Sequence, residues 1–459
     1  MSRPQDLFGL LGALAACSSN HASPEDAPAT TPDSTPGADD PVMDRPAPRA
    51  IWASSLGVAL SSFPGRATLT RTLDVRASQR RTDLAWTAAS DQPWLSVTPS
   101  GVSGGTLTVT ANPSGLAANQ LYLATVAVTA PDPSVHTDQA IRVGLWVGSV
   151  APRSITLVGN GFDPTIVADP VQPIFYTNTG GPDITLYDAY LGVVSRTFTA
   201  AVGHAGSMEI SSDGTILFVD DVDNRCVVAL DTRTGNELRR YPWDARSSSG
   251  IAYARPNGHP ILMIGAGRAF EVDTGTPRAS MIQGALDGKA RFAVDPNSEY
   301  VYDLGLGFEP SSVSQNAIAY NALGDNPLIT GVRGSTITPS TGSFGRGLCA
   351  SADGARLYVA NSAFGFTVLG TRGADRLTEL PLLPLPNPNS GGFGDNIACG
   401  WNGQIFGASG AVAVYRADGS LATSFELAAA SAAMVLSGDN TRIIGAGGAQ
   451  LSIVSTPNL

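Results

Sequence analysis

The side chains that could do chemistry are few, and their spacing narrows what that chemistry is. Only four histidines occur in 459 residues: His21, His136, His204 and His259. None stands in a His-x-x-x-His pair and no Cys-x-x-Cys is present, so the usual zinc spacings are missing. Asp220, Asp221 and Asp223 crowd one short turn that could attract calcium. They lack the acidic pattern of an EF-hand loop, and Asp is also favoured in turns for its local backbone hydrogen bonds. Gly101-Val-Ser-Gly-Gly105 fits the letters of G-x-S-x-G. That motif needs a strand-to-helix elbow to present its serine, whereas this stretch lies between two strands and reads as a turn. No metal and no cofactor is expected.

Cysteine usage is equally sparse. Cys17 closes an apolar N-terminal run, which leaves Cys226, Cys349 and Cys399. An odd number argues against a full disulfide framework. Cys349 and Cys399 fall on neighbouring strands but one residue out of step when aligned on the turns that follow them. Because side chains alternate faces along a strand, the two are expected to point apart and to remain buried thiols.

The elements that position these residues are strands. Charged residues make up 15%, with 51 Gly and 32 Pro, a profile of an all-β, turn-rich protein of two or more domains. The net charge of −11 excludes a nucleic-acid partner, which would need a cationic face. Lys289 is the only lysine, which reads as compositional bias.

Residues 1–17 carry Arg3, an apolar run from Leu7 to Ala16, and Cys17. The run is too short to span a bilayer and has the form of a secretory signal. Leu14-Ala15-Ala16-Cys17 resembles the lipobox of bacterial lipoproteins, which implies a lipidated Cys17, a membrane partner through that anchor, and an outer-membrane or cell-surface location. Residues 18–50 are rich in Pro, Ala, Ser, Thr and Asp with almost no large apolar side chains, so they cannot bury a core and form a tether. Extended, such a chain reaches about 3.1 Å per residue.

Residues 51–149 alternate apolar and polar with period two, over 69–75, 84–87, 94–97, 106–111, 122–129 and 140–147, with Gly, Pro, Asn and Asp between. This predicts a small antiparallel β-sandwich, with Trp86, Trp94 and Trp146 largely in its core. The stretch from Trp86 through Trp94 to Ser100, followed by Gly104-Gly-Thr-Leu-Thr-Val-Thr-Ala-Asn112, resembles a BACON domain. That immunoglobulin-like module implies carbohydrate contact.

From 150 to 459, turns after successive innermost strands fall at 171, 213, 257, 297, 353, 402 and 439. Steps of roughly forty to fifty residues with several short strands each mean propeller blades. Ser211-Ser-Asp-Gly-Thr-Ile-Leu-Phe-Val-Asp-Asp221, Ser351-Ala-Asp-Gly-Ala-Arg-Leu-Tyr-Val-Ala-Asn361 and Ile174-Phe-Tyr-Thr-Asn178 resemble YVTN-family propeller repeats. Seven blades are expected, with residues 154–158 crossing to complete the last one, since no fourth strand follows 450–455 and exposed edges are costly. The long step between 297 and 353 places an inserted loop at 305–316.

Enzyme propellers carry their chemistry on the axial face where innermost strands begin. There, His204, Arg291, Arg346, Asp395 and Asn396, with Asp221 and Asn361 at the ends of second strands, form a candidate funnel for a small polar or anionic ligand. Asp221 stands where other blades carry Asn178 and Asn361, which singles it out. The expected function is a lipid-anchored envelope recognition protein that binds a protein, glycan or small ligand without catalysis. The alternative is an enzyme of the lactonase or dehydrogenase-subunit type, which related propellers bring to mind but no paired catalytic constellation supports.

Overall fold

Among the described residues, the strands from residue 49 onward form a two-sheet sandwich and seven four-stranded antiparallel sheets. The computed structural model describes residues 49–137, 139–158, 165–243, 250–265, 268–278, 290–305, 313–317, 332–337, 347–361, 365–372, 377–385, 396–409, 411–427, 433–447 and 449–459. Residues 1–48, with Cys17, His21 and most of the expected tether, lie outside them; Arg49 and Ala50, expected to end that tether, instead open the strand Arg49–Ala53. Residues 47–459 form one compact unit. No helix among the described residues is long and apolar enough to cross a membrane.

The sandwich pairs a five-stranded sheet with a six-stranded one. Inward positions such as Leu73, Val75, Trp86, Leu107, Val109, Val126, Ile141, Val143 and Leu145 build its core, as alternation requires. Two details depart from the expectation. The sandwich is not wholly antiparallel, because Gly57–Phe63 runs parallel to Gln139–Val147, and Arg49–Ala53 runs parallel to Val135–His136. Trp86 and Trp94 are core residues, whereas Trp146 alternates with the buried Leu145 and Val147 and therefore faces outward, toward the propeller.

Each blade begins at an innermost strand. Blade 1 starts at Ile166–Ala168, blade 2 at Ala205–Ile210, blade 3 at Ile251–Ala254 and blade 4 at Ala290–Val294. Blades 5, 6 and 7 start at Gly347–Ala350, Asn396–Cys399 and Ala433–Leu436. Blade 7 is completed by Ile155–Val158, which pairs antiparallel with Gln450–Ser455, so the ring closes as counted from the sequence. Buried Arg442 secures this closure by donating to the main-chain O of Ala189 at 3.1 Å, to Ser455 Oγ at 2.6 Å and to the main-chain O of Arg153. Seven apolar clusters lie between successive blades; that joining blades 7 and 1 contains Ile166, Phe175, Ile444, Leu451 and Ile453. Every blade thus buries both faces against its neighbours, which closure alone permits.

The insertion is shorter than expected. Val313–Ala317 is a strand paired with Tyr300–Gly305, with Leu304 opposite Val313, so 305 and 313–316 belong to blade 4 and only 306–312 intervene.

The cysteines correct the expectation directly. Cys349 and Cys399 form a disulfide with Cα atoms 5.8 Å apart, joining the innermost strands of blades 5 and 6. The one-residue offset, expected to keep them apart, is what brings them together. Adjacent blades press opposite faces against each other, so equivalent positions all point the same way round the ring. Ala350, equivalent to Cys399, faces back into the cluster between blades 4 and 5, while Cys349 faces forward into the cluster that Cys399 enters from the other side. Cys226 stays outside this bridge, buried in blade 2.

The sandwich sits across the axial face where innermost strands turn into second strands. Arg142 donates to the main-chain O of Asp213 at 2.6 Å, in the turn of blade 2. Ser61 donates to Asp439 in the turn of blade 7, and Asp439 also accepts from Tyr190 at 2.5 Å. Trp146 stacks on Tyr190 with centroids 5.5 Å apart, Phe63 meets the same ring edge-on at 5.1 Å, and the Arg71 guanidinium lies 5.1 Å over Trp401 of blade 6. Main chains touch where glycines allow it. A Cβ on Gly144 would stand 2.1 Å from the O of Val171, and one on Gly57 would stand 2.5 Å from the O of Ser212.

Candidate functional site

The residues expected to form the funnel divide into those held by the blade framework and those whose side chains the structure leaves undescribed. Asp221 ends the second strand of blade 2 and is fully buried. Its carboxylate accepts from Asn224 Nδ2 at 2.7 Å and from the main-chain N of His204 and of Asn224 at 3.4 Å. Asn178 does the corresponding work in blade 1, accepting from Gly180 N at 3.1 Å and donating through Nδ2 to the O of Gly206 in the next blade at 3.0 Å. An aspartate has no N–H to give, so blade 2 recruits Asn224 as donor instead. The exchange of Asn for Asp is therefore accommodated within the turn, and Asp221 is a structural cap.

His204 is exposed just before the innermost strand of blade 2, where its main-chain O accepts from Val222 N at 3.0 Å. Asn396 opens the innermost strand of blade 6, buried, with Oδ1 lying 2.9 Å from where a Cβ on Gly347 would be. Arg291 and Asn361 lie in strands of blades 4 and 5. Arg346 and Asp395 fall outside the described residues. Of the expected set, the structure brings together His204 and Asp221, through a main-chain contact.

Other sequence candidates resolve into architecture. Ser103 of the G-x-S-x-G letters is buried, donating to the O of Arg81 at 2.8 Å and accepting from Leu84 N at 3.2 Å. Among the described residues, no group of three or more His, Cys, Asp or Glu side chains could hold a metal ion.

What the sequence reading missed is a cleft of about 310 Å³ at the seam between the sandwich and blades 2 and 3. Ile51, Trp52, Leu56 and His136 form its sandwich wall; Asp213, Tyr253, Arg255, Asn257, His259 and Asp273 supply the polar part of the propeller wall. Burial pushes the Tyr253 hydroxyl up to about 12 and lowers the Arg255 guanidinium from its usual value, with Tyr253 and Asp213 opposing that fall. Arg255 is 6% exposed and donates to the O of Ala53 in the sandwich at 3.4 Å. Beyond the ladder that pairs Ile261 with Glu271, Val272 N donates to Pro260 O at 3.1 Å and ties the turn of blade 3 to the second wall of the cleft.

One signal could have found this cleft. In the other six blades, the side-chain oxygen of an Asp or Asn in the inner turn accepts a main-chain N–H: Asp169 from Val171, Asp213 from Thr215, Asp295 from Asn297, Asp353 from Ala355, Asn402 from Gln404 and Asp439 from Thr441. Blade 3 reads Arg255-Pro-Asn-Gly-His259 instead, and main-chain bonds close its turn, from Gly258 N to Arg255 O and from His259 N to Pro256 O. That departure from the repeat marks the cleft; its partner His136 lies in another domain.

No protein-family model matches the chain, and no curated protein matches it. Among solved structures, a chain of Kuenenia stuttgartiensis hydrazine synthase is similar, with a TM-score of 0.51 and 15% identity over 65% of this chain and 96% of that one. At that identity the likeness shows the β-propeller fold alone. Since 1469 chains of solved structures match, the fold by itself names no function.

Proposed function

We propose that this chain is a non-enzymatic recognition protein of the bacterial envelope, anchored by lipid on Cys17 and holding its propeller toward a protein or glycan partner. The observation that carries this reading is the seat of the sandwich. It occupies the turn face of the propeller, so a large partner has the opposite axial face available, where innermost strands begin and His204 stands exposed. Two further points support it. The Cys349–Cys399 bridge suits an oxidising compartment outside the cytoplasm. Asp221 and Asn178, on the starting face, are engaged in holding turns and blade contacts, which suits a rigid display surface.

The test has two arms. Cys17→Ser should shift the protein from the membrane fraction to the soluble one, and continued membrane association would refute the anchor. The soluble Cys17→Ser protein should then retain an envelope protein or polysaccharide on a column and a glycan array. A His204→Ala substitution together with replacement of the neighbouring loop 200–203 should weaken that retention. Failure to retain anything would remove the recognition reading.

A further inference from the structure

We propose that the cleft between the sandwich and the inner turns of blades 4 and 5 binds a small zwitterion of the α-amino-acid kind. Arg372 takes its carboxylate, Glu299 takes its ammonium group, and Tyr300 lies beside its side chain. At about 500 Å³ the cleft falls within the ligand-pocket range of roughly 300–1,000 Å³. It forms where two domains meet, a common place for such sites.

Three observations point to such a molecule. First, the lining has polar atoms to spare. Among the described residues, the Asn297 side-chain amide has no hydrogen-bond partner, Glu299 engages only Oε2 and Arg372 engages only Nη2. The pair between Glu299 and Arg80 is 3.3 Å long, with 82% of the Arg80 side chain and 41% of the Glu299 side chain exposed, so it is weak and easily exchanged. Arg372 donates to the main-chain O of Asp353, whose carboxylate is held by Ser351 and Ala355 and also balanced by Arg356. Second, the lining balances in charge, with Arg80 and Arg372 against Asp295 and Glu299. An anion would meet two carboxylates and a cation two guanidinium groups, whereas a zwitterion finds a charge-assisted partner for each end. Third, the charges stand within reach of one small molecule. Buried Asp295 accepts from the main-chain N of Asn297 at 3.1 Å, of Glu299 at 2.6 Å and of Tyr300 at 2.7 Å, which spends its carboxylate within its own turn. Arg372 approaches the same carboxylate across Gly354, where a Cβ would stand 2.9 Å from Arg372 Nη2 and 3.5 Å from Asp295 Oδ2. Both walls are strained as well. Arg80 on the sandwich and Ser298 in the turn of blade 4 take left-handed φ of +53° and +55°, conformations that gather at ligand clamps.

This cleft lies on the turn face and partner capture is assigned to the starting face, so either reading can fail alone. The full-length protein would be titrated at pH 7 with L-leucine, L-glutamine and L-phenylalanine, each beside its N-acetyl derivative and its carboxamide. At least one free amino acid should bind about tenfold more tightly than either blocked form, the size expected for one charge-assisted hydrogen bond. Glu299→Gln should abolish the preference over the N-acetyl derivative, and Arg372→Gln the preference over the carboxamide. Each variant should keep the other preference, which a misfolded protein would not do. Asn297→Ala removes an amide bonded to nothing, so it is expected to fold unchanged and to lower affinity about threefold or more. The idea is overturned if no amino acid binds, if a blocked form binds as tightly, or if either substitution leaves its matching preference intact. Unchanged affinity in Asn297→Ala, or displacement of the amino acid by glucose at equal concentration, also counts against it.

Discussion

The disulfide between blades 5 and 6 gives the most exposed prediction, because the sequence pattern pointed the other way. Cys349 and Cys399 are 50 residues apart. In the chain-entropy account, cross-linking a loop of that length restricts the unfolded chain by about 4 kcal/mol at 25 °C, and measured native bridges commonly contribute about 2–5 kcal/mol. The perturbation is Cys399→Ser in a Cys17→Ser background, which removes the bridge together with the cysteine proposed to carry lipid. Chemical denaturation should then show a loss of about 2–4 kcal/mol, and reduced Cys17→Ser protein should fall to the same curve. The thiol count is the sharper assay. Four cysteines less Cys17 leaves three, of which the structure leaves Cys226 as a thiol. Denatured without reductant, the Cys17→Ser protein should therefore titrate one thiol, rising to three after reduction. Three thiols without reductant would refute the argument that apposed blade faces bring an offset pair together.

Other perturbations test different parts of the molecule. Glu209, on the innermost strand of blade 2, is pushed up to about 7 by burial, with Ile210 N donating to it at 3.0 Å. The folded state thus holds its proton more tightly than the unfolded chain does. Stability should fall as pH rises from about 4.5 through 7, by up to about 3 kcal/mol, and Glu209→Gln should remove that slope in denaturation curves taken at pH 5 and 8. Identical slopes in both proteins would exclude Glu209 as the cause. Gly144→Ala forces a Cβ against the main-chain O of Val171, where both partners are backbone. A loss of about 1–3 kcal/mol is expected, along with faster hydrogen exchange in residues 169–173 and 139–147; unchanged exchange would mean the seam is looser than its geometry implies.

The blade repeat was legible because its signals are local. Asp-Gly turns such as Asp213-Gly214 and Asp353-Gly354 are closed by hydrogen bonds within five residues, with φ of +70° and +67° at the two glycines. Counting strands was enough to assign 155–158 to blade 7, because an unpaired strand and an incomplete blade have one economical solution. The same locality misled the reading of the funnel. Asp221 looked like a site residue by departing from Asn, yet its partner Asn224 lies three residues away and completes an ordinary turn. Trp146 looked like core because its strand is buried, but a strand has two faces and the second one meets Tyr190 across the seam.

The sequence by itself determined the all-β class, the order of sandwich and propeller, the number of blades and the way the ring closes. Each of these follows from period-two alternation, turn chemistry and the need to pair every edge, which act over a few residues. Tertiary structure alone decided which faces meet: the offset that joins Cys349 to Cys399, the seat of the sandwich on the turn face, and the cleft shared by His136, Arg255 and His259. Those depend on the direction each surface points once seven blades have closed around one axis. No local pattern records that direction, because contacts between residues more than a hundred positions apart leave no periodicity in the chain.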